Sequence, residues 1–215
     1  MSLASKPLQD FLTELASAEP VPGGGSVAAL SGALAASLVA MVCRLTIGRK
    51  GYESVSAELE AILLSAESLQ YQLRELMQAD INAYARVMDG YKLPKATDAE
   101  KAARVRAVQV ALKHASDVPL TVAERCADAL ALTEIVAQKG NKNAASDAGV
   151  GALMAEAGLR GAALNVSINL GAIRDEAYVN DRRMRVAKLI AQADQSKAEI
   201  LSMVEGRLSP NAFRS

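Results

Sequence analysis

The chain has 215 residues, 51% of them hydrophobic but only 3% aromatic, and it contains no Trp. Its 24 basic and 24 acidic residues cancel, so no net field favours nucleic acid or an anionic membrane surface, and neither is expected as a partner. That length supports one well-packed domain or two small ones, and few aromatics in an Ala-rich chain favour closely packed helices over sheets.

Leu8, Phe11, Leu12 and Leu15 mark a first amphipathic helix, which Pro20 and Pro22 end. Residues 1–20 carry acids and do not read as a leader. The run Pro22-Gly23-Gly24-Gly25-Ser26 follows. Consecutive glycines lose much backbone entropy on ordering, so a sharp turn or a close approach to a ligand or another chain must require them. Ser26 stands where an N-cap belongs, ahead of a second, Ala-rich helix. A flexible loop opening into a helix N-terminus suits anions or carbonyl oxygens. Residues 27–47 hold one charge, Arg44, and are long enough to cross a bilayer. Their Ala, Ser and Gly content and lack of aromatic anchors point instead to the centre of a soluble bundle. Gly32, Ala36 and Ala40 fall four apart and leave one face smooth for a neighbouring backbone. The helix should stop near Gly48 and Gly51.

A third helix is expected over residues 55–88, closed by Asp89-Gly90. Its seam of Leu59, Ile62, Ala66, Leu69, Leu73, Leu76, Asp80, Ala83 and Val87 is apolar except at Asp80. Drawn out of water among leucines, that carboxyl should gain proton affinity and suit general acid or base work near neutrality. An Asp paired with an Arg across the bundle, or solvated where the seam opens, fits the pattern equally. Tyr84, one turn on, either orients the carboxylate or packs half-buried.

Thr97-Asp98-Ala99-Glu100 is a capping box that opens a fourth helix. Pro119 should kink or divide it before it resumes to Gln138. Ser146-Asp147 begins a fifth helix expected to reach Val179, and Asn180-Asp181 breaks to a last one ending near Gly206. Gly158, Gly161, Ala162, Asn165, Asn169 and Ala172 share a face. The two amides either read a flat heterocycle or join an interhelical hydrogen-bond network. Asp147 is by default a helix-start acid favoured by the dipole. Arg49-Lys50 is a basic pair that would hold a glutamate tail if it converged on the glycine loop. No run alternates with period two, so the fold class is all-α: about six long helices in a single domain over residues 1–215.

Cys43 and Cys126 make neither a disulfide framework nor a zinc spacing, and a reducing cytoplasm is the expected compartment. His114 is the only histidine, so no His-based triad or multi-His metal site is available.

Pro22-Gly23-Gly24-Gly25-Ser26-Val27-Ala28-Ala29, Met41-Val42 and Leu45-Thr46-Ile47-Gly48-Arg49-Lys50 resemble the formiminotetrahydrofolate cyclodeaminase family, which includes stand-alone bacterial methenyltetrahydrofolate cyclohydrolases. So do Asp80 with Ala83-Tyr84, Lys92-Leu93-Pro94-Lys95, Val118-Pro119-Leu120, Ser146-Asp147 and Asn165-Val166-Ser167-Ile168-Asn169-Leu170. The ordered resemblance runs from about Phe11 to Leu208, with no formiminotransferase half. It implies an all-α homodimer that binds a tetrahydrofolate derivative as substrate, without metal or redox cofactor. Asp80 matches the family's catalytic aspartate. The glycine loop, Ser146-Asp147 and Asn165/Asn169 match pocket segments. Gln78 stands where some relatives carry an acid. The resemblance implies cyclodeaminase chemistry, marginally ahead of cyclohydrolase. A non-catalytic helical scaffold or folate binder is the alternative from another class.

Overall fold

A computed structural model describes residues 3–208. Six α-helices account for most of it: α1 (Leu8–Leu15), α2 (Gly24–Arg44), α3 (Ser56–Lys92), α4 (Asp98–Lys139), α5 (Ala145–Leu170) and α6 (Glu176–Arg207). No strand occurs among the described residues.

α2 is the central element and packs on α3, α4 and α5. By length and composition it is apolar enough to cross a membrane, with a mean hydropathy of 2.0, and 61% of that apolar window is buried among its neighbours. Its small residues explain how. A Cβ on Gly32 would fall 2.6 Å from Cys126 Sγ of α4, and one on Gly158 of α5 would fall 2.8 Å from the Ala28 carbonyl of α2. α2 and α5 thereby approach at backbone distance, with the Cys126 thiol of α4 against the same point. The α3 seam faces this core, with Leu59 and Leu73 fully buried.

The structure moves several expected boundaries. α1 is amphipathic, but only Phe11 of its stripe is buried, and Leu8 and Leu12 are exposed. α2 starts at Gly24 with Gly23 as its cap, so Ser26 lies in the first turn, where its side chain turns into the bundle. α3 does not stop at Asp89-Gly90. Gly90 lies against Val108 of α4 and serves close packing. The helix ends instead at Lys92, and the extended ψ of 148° at its cap, Leu93, is what a following proline enforces. The Thr97–Glu100 capping box forms as expected.

Pro119 neither breaks nor divides α4, which is one helix across it. α5 ends at Leu170 rather than near Val179, and α6 begins at Glu176, where the Asp175 side chain accepts from the Tyr178 N–H. Asn180 and Asp181 therefore lie inside α6, near an N-terminus that favours acids. Cys43 and Cys126 are buried free thiols, pushed up to about 11 and about 12 by burial. His114 is exposed.

Candidate functional site

At the N-terminal end of α2 the glycine loop, α3, α4 and the C-terminal half of α5 enclose a cleft of about 380 Å³. Gly23, Gly24, Gly25, Asp80, Tyr84, Asn165 and Asn169 all line it, with Ala83, Val87, Leu112 and Ile168 supplying apolar wall. Residues far apart in sequence thus meet because α2 and α5 run antiparallel: Gly24 lies beside Asn165, and Leu38 beside Gly151.

Asp80 is the cleft's one carboxylate among its lining residues. A Cβ on Gly25 would fall 2.2 Å from its Oδ1, so the loop needs glycine there to let the carboxylate rest on the backbone. Ser26, fully buried, lies behind it. The hydroxyl lies 3.2 Å from Asp80 Oδ2 and 3.1 Å from the Met77 carbonyl, with one proton to give between them. Burial raises the Asp80 pKa above its ordinary value, opposed by hydrogen bonds from the Ser26 hydroxyl and backbone N–H. No cation pairs with Asp80 among the described residues. The arrangement is a desolvated carboxyl facing a cleft with largely apolar walls.

Both cleft amides have their NH₂ groups engaged. Asn165 Nδ2 donates to the Gly161 carbonyl one turn back (2.8 Å), and Asn169 Nδ2 donates across to the Ala115 carbonyl of α4 (2.7 Å). The interhelical amide bond and the cleft lining are therefore properties of the same side chain. Asn169 would have been hard to assign from spacing alone, because its partner lies on another helix.

Arg49, Lys50 and Asp147 lie elsewhere. Arg49 and Lys50 follow the C-terminus of α2, and Asp147 lies in the first turn of α5, about 27 Å along the axis from Asn165 at 1.5 Å per residue. Within one chain they belong to the opposite end of the bundle. Gln78, close to Asp80 in sequence, accepts from the Leu3 N–H and donates to Asn82. Among the described residues no group of three or more carboxylate, imidazole or thiol side chains is close enough to hold a metal.

The family model for formiminotransferase-cyclodeaminase matches residues 7–204. The chain belongs to that family. The methenyltetrahydrofolate cyclohydrolase of Methylorubrum extorquens is 46% identical over 202 residues, 94% of this chain and 97% of that one. The formimidoyltransferase-cyclodeaminase of Gallus gallus is 35% identical over 205 residues, 95% of this chain, which spans 38% of that longer protein. Among solved structures, the formiminotetrahydrofolate cyclodeaminase of Thermotoga maritima superposes with a TM-score of 0.86 at 32% identity, covering 95% of this chain and 98% of that one. Family membership and the all-α fold thus agree with what the residues and motifs led us to expect.

Proposed function

We propose that this chain is an enzyme of folate one-carbon chemistry that acts at the methenyl bridge of tetrahydrofolate, with Asp80 as the proton-transferring group. The observation that carries the reading is the lone desolvated carboxyl of Asp80, set against the glycine loop in the cleft. The methenyltetrahydrofolate cyclohydrolase reaction stands first. The 46% identity over nearly the full length of a protein of that name supports it. So does the single carboxylate, since one base suffices to orient and deprotonate one water. That water adds to the cationic methenyl carbon as one of its protons passes to Asp80. Asp80 then returns that proton to one ring nitrogen as its bond to the carbon breaks, and the adduct's hydroxyl gives its remaining proton to solvent, which leaves the formyl group on the other nitrogen. The carboxylate also offsets the positive charge of the bound substrate. No metal or redox cofactor is required, because the methenyl carbon is already electrophilic.

The cyclodeaminase reaction is the second reading, favoured by the Thermotoga maritima likeness. There Asp80 takes the proton of the attacking nitrogen and returns one to the departing ammonia, with ring geometry supplying much of the acceleration. Absorbance of the methenyl chromophore separates the two. Accelerated loss of added methenyltetrahydrofolate identifies the cyclohydrolase, and growth from formiminotetrahydrofolate identifies the cyclodeaminase. No change with either substrate would sink both and leave the scaffold reading.

The assembly belongs to the same proposal. α2 and α5 expose Val27, Leu34, Met41, Val150, Leu153 and Leu164 at helical spacing. This face runs on to Ile168 at the cleft mouth, 76% exposed, and a face of this kind marks an interaction site. A second copy, paired about a two-fold axis normal to that face, covers it. Such pairing sets the far end of one copy, with its Arg49, Lys50 and Asp147, beside the cleft of the other. A folate's glutamate tail would meet the basic pair there. The reducing cytoplasm suits two buried thiols and a soluble cofactor pool.

A further inference from the structure

Pro119 lies in the interior of α4, where proline is normally excluded. It has no N–H to give to the carbonyl four residues earlier, and that carbonyl is Ala115. The freed oxygen is the one that Asn169 Nδ2 meets at 2.7 Å. Ala115 and Asn169 both line the cleft, and Pro119 itself is fully buried behind them. The same turn of α4 is braced from the other side by α6. The Tyr178 hydroxyl lies 2.7 Å from Asp117 Oδ1 and 2.9 Å from the Lys113 carbonyl. The Arg182 guanidinium bonds the same Asp117 oxygen and stacks 4.0 Å from the Tyr178 ring centre.

We infer that Pro119 is a positioning residue for substrate recognition: it leaves the Ala115 carbonyl without its helical donor, so that the Asn169 amide is held with its NH₂ on α4 and its Oδ1 presented to the cleft as an acceptor. A carbonyl accepts only from the nitrogen of an amide, so the bond fixes which end of Asn169 faces inward. The bulk of the proline ring also turns the Ala115 carbonyl away from the α4 axis and toward α5. Asn165, one turn away, has its own Nδ2 committed to Gly161, and its amide lies against the glycine loop, with Nδ2 3.3 Å and Oδ1 3.7 Å from a Cβ placed on Gly24. The cleft wall that Asn169 lines therefore offers its Oδ1 as an acceptor and favours a ligand edge that carries N–H donors. This inference rests on the folate reading, in which that edge is the amino and ring N–H side of the pteridine.

The test is Pro119→Ala, which restores the helical N–H and lets the Ala115 carbonyl return to the α4 ladder. In the unliganded protein, the Asn169 side-chain amide resonance, assigned by its absence in Asn169→Asp, should lose its hydrogen-exchange protection by about tenfold or more. The KM for methenyltetrahydrofolate should rise by about tenfold, the weight of one neutral hydrogen bond, while kcat moves far less. Discrimination against a folate analogue with methyl in place of the 2-amino group should weaken together with KM. The melting temperature should hold or rise, since a proline has left a helix interior. A merely structural role would instead lower stability and leave the discrimination intact. Unchanged Asn169 protection overturns the inference whatever the enzyme does. Changed protection in a protein that binds no folate retains the Pro119–Asn169 linkage and overturns the folate reading.

Discussion

Asp80 is held between opposing influences, and their balance sets what it does. Burial favours the neutral acid, while the Ser26 hydroxyl and backbone N–H favour the carboxylate. Because burial wins, the folded pKa lies above the unfolded one. The neutral side chain thus contributes stability that is fully present below the ordinary carboxylate range and lost as pH rises through the folded pKa. Asp80→Asn should therefore melt higher than the parent at pH 7, and the gain should shrink toward zero at about pH 3, below the ordinary carboxylate value. The same substitution should reduce turnover by about 10²–10⁴-fold, the usual weight of a positioned acid–base group. Calorimetry and the methenyl absorbance assay check the two effects on one sample. Ser26→Ala removes a donor that favours the charged form, so the acidic limb of the rate profile should move to higher pH. A limb that stays in place would mean that the hydroxyl serves Met77 alone.

Glycine carries the packing of the helices, and its effects differ by what each one faces. A Cβ on Gly32 meets Cys126 Sγ at 2.6 Å and Leu73 at 3.1 Å, which are side-chain atoms. One on Gly158 also meets Cys126 Sγ, at 2.9 Å, but the Ala28 carbonyl at 2.8 Å and the Gly32 nitrogen at 3.1 Å are backbone. Gly32→Ala should cost about 1–3 kcal/mol, the usual penalty of overpacking, and much of that should return in a Cys126→Ala background. Gly158→Ala should gain no comparable relief from Cys126→Ala, because the backbone of α2 stays in the way; denaturant titration of the three single variants and the two double variants decides. The same contrast governs what could be read from the sequence. Asp80 was legible because one acid interrupts an apolar seam within a single helix, and the glycine loop because its spacing is local. The end of α3 was misjudged because Gly90 packs on Val108, a contact invisible to local pattern. The α5–α6 boundary was missed because apolar periodicity runs on past Gly171, and the stop comes from the Asp175 cap. Pro119 looked like a break because the group that takes up the freed carbonyl lies 50 residues further on, at Asn169.

Most exposed large apolar side chains on a helical protein are scattered, but on α2 and α5 they form one strip that ends at the cleft mouth. Leu164 is 72% exposed in the single chain, so Leu164→Glu should leave its fold intact while placing a charge within the proposed interface. Sedimentation should then show a dimer for the parent and a monomer for the variant. Isologous pairing makes a sharper demand. If each cleft joins Asp80 of one copy to the Arg49-Lys50 end of the other, two crippled proteins should repair each other. Asp80→Asn mixed with Arg49→Glu/Lys50→Glu, after subunit exchange, yields hybrid dimers in which one of the two clefts is intact. Activity at subsaturating folate should climb toward about one quarter of the parent's, the limit set by random pairing of equal amounts in a symmetric dimer. Recovery would tie the distant basic pair to the cleft through the symmetry axis. A mixture no better than its components, in a protein that does sediment as a dimer, would remove Arg49 and Lys50 from the site and leave the interface standing.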